Sequence, residues 1–281
     1  MRKRNLILYI TCIIITATFM SSCDNDGGGT EPNPTPEDFT NHLTNQIDEV
    51  IIPTMNNYRD KVAVFLTSVI SFQESKNAST LSMVRTEFRN AYLAYQAAAV
   101  HNFFATETQA LVITTNLYPI DQTLLADIIE NRRYNFNTSV QERANGFPAI
   151  DFMLFGTDDA LAYFDEDPKR IEYLISLVTS MQERAEKIAD QWSTNLRGNF
   201  ISNGGTELGS SISKQLNSSV IYYEDHVREN KVGLPIGLSG PLDSPIPPDP
   251  TKIEAYYQSQ YVGNEDLTLE LLKVTIEELE R

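Results

Sequence analysis

The chain has 281 residues with 22 basic and 38 acidic side chains, a formal net charge of −16. So acidic a protein is repelled by phosphate backbones and anionic lipid, which argues against a nucleic-acid partner. It has two cysteines, Cys12 and Cys23, and three histidines, His42, His101 and His226, which leaves few ways to build a thiolate or imidazole metal site.

The amino terminus reads as an export signal. Arg2, Lys3 and Arg4 precede an apolar run from Leu6 to Met20, and the small residues Ser21 and Ser22 follow. The run is about fifteen residues, short of the roughly twenty that a helix needs to cross a bilayer. Met20-Ser21-Ser22-Cys23 resembles a bacterial lipobox, so the expectation is a signal peptide over 1–22 and lipidation of Cys23. Cleavage removes Cys12 and three basic residues, leaving 19 basic against 38 acidic groups and no internal disulfide. Residues 23–36 are polar and rich in glycine and proline, which predicts a disordered tether. Acidic residues beside the cysteine resemble the surface-export signal of Bacteroidetes lipoproteins. These features point to the outer membrane, on its periplasmic or cell-surface face.

From residue 37 onward the spacing of apolar residues is helical. A first helix is expected over about 37–75, bent at Pro53. A second carries Leu81, Val84, Phe88, Tyr92, Tyr95, Ala99 and Phe103 on one face, with Ser79 or Thr80 as its cap. A third is expected at 120–133. The strongest stripe is Ile171, Leu174, Ile175, Val178, Met181, Ala185, Ile188 and Trp192, opened by Asp167-Pro168 and stopped by Gly198. Helices over 206–230 and 265–280 complete the set. Lys231–Pro250, rich in proline and glycine, reads as a long ordered loop. Helices of this kind bury their stripes only against one another, so the fold class is all-α, a helical bundle. The last helix either docks back on the body or belongs to a chain shortened at its carboxyl end.

Most motif tests are negative. No HExxH or GxSxG is present, and Asn203-Gly204-Gly205-Thr206 lacks the lysine of a P-loop. His226 and Glu229 share a helix face at i,i+3 but lie in a charged stretch that reads as solvated surface. His101 ends an apolar helix and points toward a cleft or into the core; His42 pairs with Asp38. Acidic pairs such as Asp158-Asp159 are read as loop charge.

One segment is more specific. Gly146-Phe147-Pro148-Ala149-Ile150-Asp151, followed by Phe152-Met153-Leu154-Phe155-Gly156, resembles the imelysin signature, in which a glycine, a histidine and a glutamate precede an apolar run. Leu117-Tyr118-Pro119-Ile120-Asp121 is similar to the family's upstream aromatic-Pro-x-Asp stretch, and Lys231-Val232-Gly233-Leu234-Pro235-Ile236-Gly237 resembles its downstream loop. The resemblance implies two related helical bundles, about 37–156 and 157–281, the second incomplete, with a cleft between them near the signature. It also implies an envelope location, an association with iron uptake and, for the family's first member, metallopeptidase activity.

Pro148 stands where the family places histidine, and Asp151 where it places glutamate. Proline offers a metal no donor atom. One reading is that Gly146-Phe147-Pro148 turns the chain into a helix, with Asp151 in its first turn stabilised by the helix dipole. The preferred expectation is a non-enzymatic, lipid-anchored envelope binding protein connected with iron or another nutrient, with Tyr118, Asp121, Pro148, Asp151 and His101 as ligand-binding residues. Iron or another divalent cation is the implied cofactor, with Asp151 the candidate metal ligand. The membrane, through the anchor, and an envelope protein or transporter are the implied partners. Two alternatives stay open: a metallopeptidase with a rebuilt metal site, and a structural envelope scaffold.

Overall fold

Residues 36 to 74 form one helical run that widens once along its length. α1 (Pro36–Asn45) passes through a π-helical turn (Gln46–Ile51) into α2 (Ile52–Glu74). The widening falls just upstream of Pro53, where a proline ring crowds the carbonyl four residues before it and supplies no N–H. Ile47, Ile51, Met55, Tyr58, Val62, Phe65, Val69 and Phe72 recur every three or four residues along this run, and all are buried. In this computed structural model the described residues are 35–281 except 102, 104–110, 113, 137–138, 206, 239–245 and 262–265. The export signal, Cys23 and the tether up to Pro34 lie outside them.

A three-residue turn reverses the chain into α3 (Ala78–Val100), which packs along α2. The cap is Asn77, not Ser79 or Thr80. Its side chain accepts the N–H groups of Ser79 and Thr80, and the Thr80 hydroxyl accepts the Asn77 N–H. That reciprocal box satisfies donors the helix cannot pair internally. Asn77→Ala should cost about 1 kcal/mol in urea unfolding with little change of slope.

After α3 come α4 (Gln122–Asn131), a 3₁₀ turn (Ser139–Ala144), α5 (Gly146–Phe155) and α6 (Ala160–Glu166). The next helix, α7 (Pro168–Gln191), starts as its sequence predicts: the Asp167 side chain accepts the Lys169 N–H and Pro168 stands in the first turn. Its stripe of Ile171, Leu174, Val178, Met181, Ala185 and Ile188 packs against α2, with Ile175 only partly covered. Gly198 does not stop the helix. A π turn (Trp192–Leu196) leads into α8 (Arg197–Ser202), because buried Trp192 and Phe200 hold the backbone helical across the glycine.

α9 (Ser211–Tyr222) continues through a π-helical stretch (Tyr223–Gly233) into the short α10 (Leu234–Ile236). The expected loop from Lys231 therefore begins later. Pro235 comes near the carboxyl end of this unbroken run, where it supplies no N–H and the wide turns just upstream make room for its ring, as at Pro53, and Gly237 ends the run in the left-handed region at φ +75°. A 3₁₀ turn (Pro250–Lys252) and α11 (Tyr256–Gln260) lead to α12 (Leu267–Leu279). α12 lies along α3 and buries Leu267, Leu271, Thr275 and Glu278.

The core layer thus runs α7, α2, α3, α12, combining long helices from both halves of the chain. Pro36–Arg281 forms one compact unit. Among the described residues there is no strand, and no helix is long and apolar enough to cross a membrane. The protein is all-α, a helical bundle.

Candidate functional site

α5 carries the signature and is apolar nearly all round, so it is stable only when enclosed. Every residue from Gly146 to Phe155 except Phe152 is buried. Phe147 is stacked on Tyr92 of α3, with ring centroids 4.2 Å apart and planes 4° from parallel. Its far end is closed by Arg85, whose guanidinium donates to the Leu154 carbonyl at 2.6 and 3.2 Å and lies between the rings of Phe155 and Tyr261. That is a cation–π clamp on a helix carboxyl end, favourable on both counts.

The near end explains the glycine. Gly146 has φ +66°, and a Cβ there would fall 1.9 Å from the Thr115 carbonyl oxygen. Its bare Cα thus lets the Thr115–Asp121 segment pass directly over the start of α5. That segment contains the cis Tyr118–Pro119 bond and ends at Asp121, whose carboxylate caps α4 by accepting the Leu124 N–H at 2.9 Å. Pro148 is the third residue of α5, where the absent N–H is one that the helix leaves unpaired anyway.

Asp151 does not lie in the first turn of α5, and the helix it stabilises is another one. Its Oδ2 accepts the Tyr257 N–H and its Oδ1 the Gln258 N–H, both at 2.9 Å, so it ties α5 to the start of α11 across the fold. The side chain is 2% exposed. Burial pushes its carboxyl up to about 7, against the opposing pull of the two N–H donors. An acid whose pKa is higher folded than unfolded binds its proton more tightly in the native state. Its stabilising contribution is complete below pH 3.8 and is lost as pH rises through 7. This group should make the protein about 2 kcal/mol more stable at pH 5.5 than at pH 8. Asp151→Asn should flatten that part of the stability–pH profile, as read by urea melts across the range.

A cleft of about 520 Å³ opens beside these residues. Tyr118, Pro148 and Asp151 line it, together with Gln122, Tyr256 and Tyr257. The Gln122 amide donates to the Tyr257 hydroxyl at 2.6 Å, and Phe152 meets the Tyr257 ring edge-on. Three of the sequence-derived residues therefore converge here. Asp121 is not among the lining residues; its part is to cap α4. His101 is elsewhere: its Nε2 lies 2.6 Å from Glu278 Oε1 in a buried pair with α12. Burial works against the charge of Glu278, but His101 and Arg281 outweigh it and hold the carboxyl below its usual range.

A metal ion does not fit the donors at the signature. Among the described residues the lining holds a single carboxylate, each oxygen already accepting a backbone N–H, and no imidazole. Among the described residues no three His, Cys, Asp or Glu side chains cluster as a metal site would require.

The sequence reading missed a buried polar cluster next to this cleft. Gln96 of α3 and Glu254 are 0% and 1% exposed. Gln96 Nε2 donates to Glu254 Oε1 at 2.6 Å, Asn116 Nδ2 donates to the same oxygen, and Lys231 Nζ bridges Glu254 Oε2 and Gln96 Oε1. The one trace in the sequence is Gln96 itself, an amide inside the apolar run Ala94-Tyr95-Gln96-Ala97-Ala98.

Fold and site define a class: an all-helical protein built around an enclosed helix whose opening glycine receives a crossing segment and whose first two turns wall a cleft. The imelysin family profile matches residues 51–259, and the chain belongs to that family. Two solved structures share the fold. An imelysin-like protein from Psychrobacter arcticum aligns with a TM-score of 0.68 at 18% identity, over 88% of this chain and 74% of that one. A protein of Parabacteroides distasonis, described as an iron-regulated protein A precursor, aligns at 0.65 and 15% identity, over 89% and 74%. Curated protein sequences returned no match.

Proposed function

We propose that this protein is a lipid-anchored binding protein of the cell envelope that performs no chemistry itself, and that its signature cleft engages a ligand or partner connected with iron or another nutrient. One observation carries the reading: the only carboxylate lining the cleft among the described residues has both oxygens bonded to the backbone of α11, and a proline stands at the imidazole position. What the cleft offers instead is aromatic and amide surface from Tyr118, Tyr256, Tyr257 and Gln122, suited to contact area and orientation. The nutrient link takes its support from the Parabacteroides distasonis neighbour described as iron-regulated. The anchor and an outer-membrane location take theirs from the Met20–Cys23 tetrad and the polar stretch after it. An envelope protein or transporter is the partner this placement favours.

Calorimetric titration of the purified protein with haem and a glycan panel, and with Fe³⁺ and Fe²⁺, which the lining should not hold as bare ions, tests the cleft. Binding of haem or a glycan, weakened by Gln122→Ala and Tyr256→Ala, is the expected result. No binding by any, or chelator-sensitive cleavage of an unfolded substrate, would overturn it. Labelling with a fatty-acid analogue tests the anchor: the label and the membrane association should both vanish in Cys23→Ala.

A further inference from the structure

A second cavity, of about 420 Å³, shares only Tyr118 and Pro119 with the signature cleft. One wall is the π-helical stretch after α9, which brings Tyr222, His226, Asn230 and Leu234 to the cavity at four-residue steps. Wide helical turns of this kind are frequent at functional sites. Opposite stands Tyr95 of α3, 1% exposed, whose hydroxyl has no hydrogen-bond partner among the described residues. Folds rarely bury a polar atom unpaired, and where they do a ligand is one of the explanations.

The chemistry around that hydroxyl is one-sided. Burial, reinforced by the nearby Glu254, raises the phenols of Tyr95, Tyr118 and Tyr222, so all three are protonated donors at neutral pH. Burial also lowers His226, which keeps its ring neutral. Among the described residues the cavity lining includes Arg143, Lys231 and Lys252 and no Asp or Glu, in a chain of net charge −16. Lys231 is neutralised from behind by Glu254, whereas Lys252 has only a loose pair with Asp249 at 3.9 Å, and Arg143 donates to the Pro119 carbonyl at 3.3 Å. Val112, Leu117 and Leu234 supply an apolar side. A pocket that presents three phenol donors and three cations, with no carboxylate on its described lining, favours an anion, and its apolar side favours one with a hydrocarbon body.

We propose that this cavity binds a small organic carboxylate, with the anionic end toward the hydroxyls of Tyr95, Tyr118 and Tyr222 and toward Lys252, and the body against Leu117 and Leu234. This site stands apart from the reading of the signature cleft and survives its failure.

The test is titration of the purified full-length protein with benzoate and hexanoate, with benzamide, hexanamide and inorganic phosphate as comparators, read by calorimetry and thermal shift. At least one acid should bind and raise Tm, with the amides about tenfold weaker or worse and phosphate silent. Tyr95→Phe should weaken the acid about five- to tenfold. Because the hydroxyl bonds to no other group of the protein, the same variant should melt, unliganded, no lower than the parent. Lys252→Met should weaken binding to a similar degree. Absence of binding by both acids, amides that bind as well as acids, or unchanged affinity in Tyr95→Phe would each overturn the proposal.

Discussion

Gly146→Val is expected to yield no folded protein, and Gly146→Ala to lose about 3 kcal/mol or more. Two costs combine at this position. The φ of +66° lies in the left-handed region, which costs a residue with a Cβ about 1–2 kcal/mol. The new atom would also land 1.9 Å from the Thr115 oxygen and 2.4 Å from its carbonyl carbon, and these are backbone atoms that cannot swing aside. Relief requires the Thr115–Asp121 segment to lift off α5, taking Tyr118 and the cap of α4 with it. Gly198 provides the contrast. It lies inside α8 with nothing within 4 Å of an added Cβ, so Gly198→Ala should stabilise by about 0.5–1 kcal/mol. Urea melts of the two alanine variants would settle the matter. Equal and small effects would show that Gly146 is not confined as described.

The second large effect is expected at Glu254. Its carboxylate accepts from Gln96, Asn116 and Lys231, and both it and the lysine side chain are buried. In Glu254→Ala the ammonium of Lys231 keeps only the Gln96 carbonyl oxygen, and two amide groups lose their acceptor. Breaking one half of a buried ion pair costs about 3–5 kcal/mol, most of it the penalty of an uncompensated charge. The double variant Lys231→Met/Glu254→Gln should therefore be more stable than Glu254→Ala, since it removes the stranded cation and returns an amide oxygen to Gln96 and Asn116. A double variant as weak as the single one would mean that the charge is not the source of the loss.

The long helices were legible because their evidence is local. The stripes of α3 and α7 repeat at helical spacing over many turns, and Asp167-Pro168 marks a start by its own chemistry. Where the reading went astray, a local breaker met a stronger tertiary constraint. Gly198 is carried through by Trp192 and Phe200, and Pro235 is absorbed at the end of a helical run whose wide turns make room for its ring. At the site, Tyr118, Pro148 and Asp151 came from resemblance to a family signature, and they do meet at one cleft. What each does was not legible. Asp151 finds its partners in Tyr257 and Gln258, more than a hundred residues onward, and Gln96 finds Glu254 158 residues away. Pairings of that range leave no periodic mark on the chain, because they depend on which ends of which helices come to rest side by side.

The bond from Asp151 to Tyr257 spans 106 residues, so it forms only once the carboxyl-terminal part of the chain has come into place. Until then the apolar signature helix has one flank uncovered and its aspartate unpaired. A chain cut short ahead of that tyrosine therefore presents a greasy, half-finished surface, the kind that chaperones hold and proteases clear.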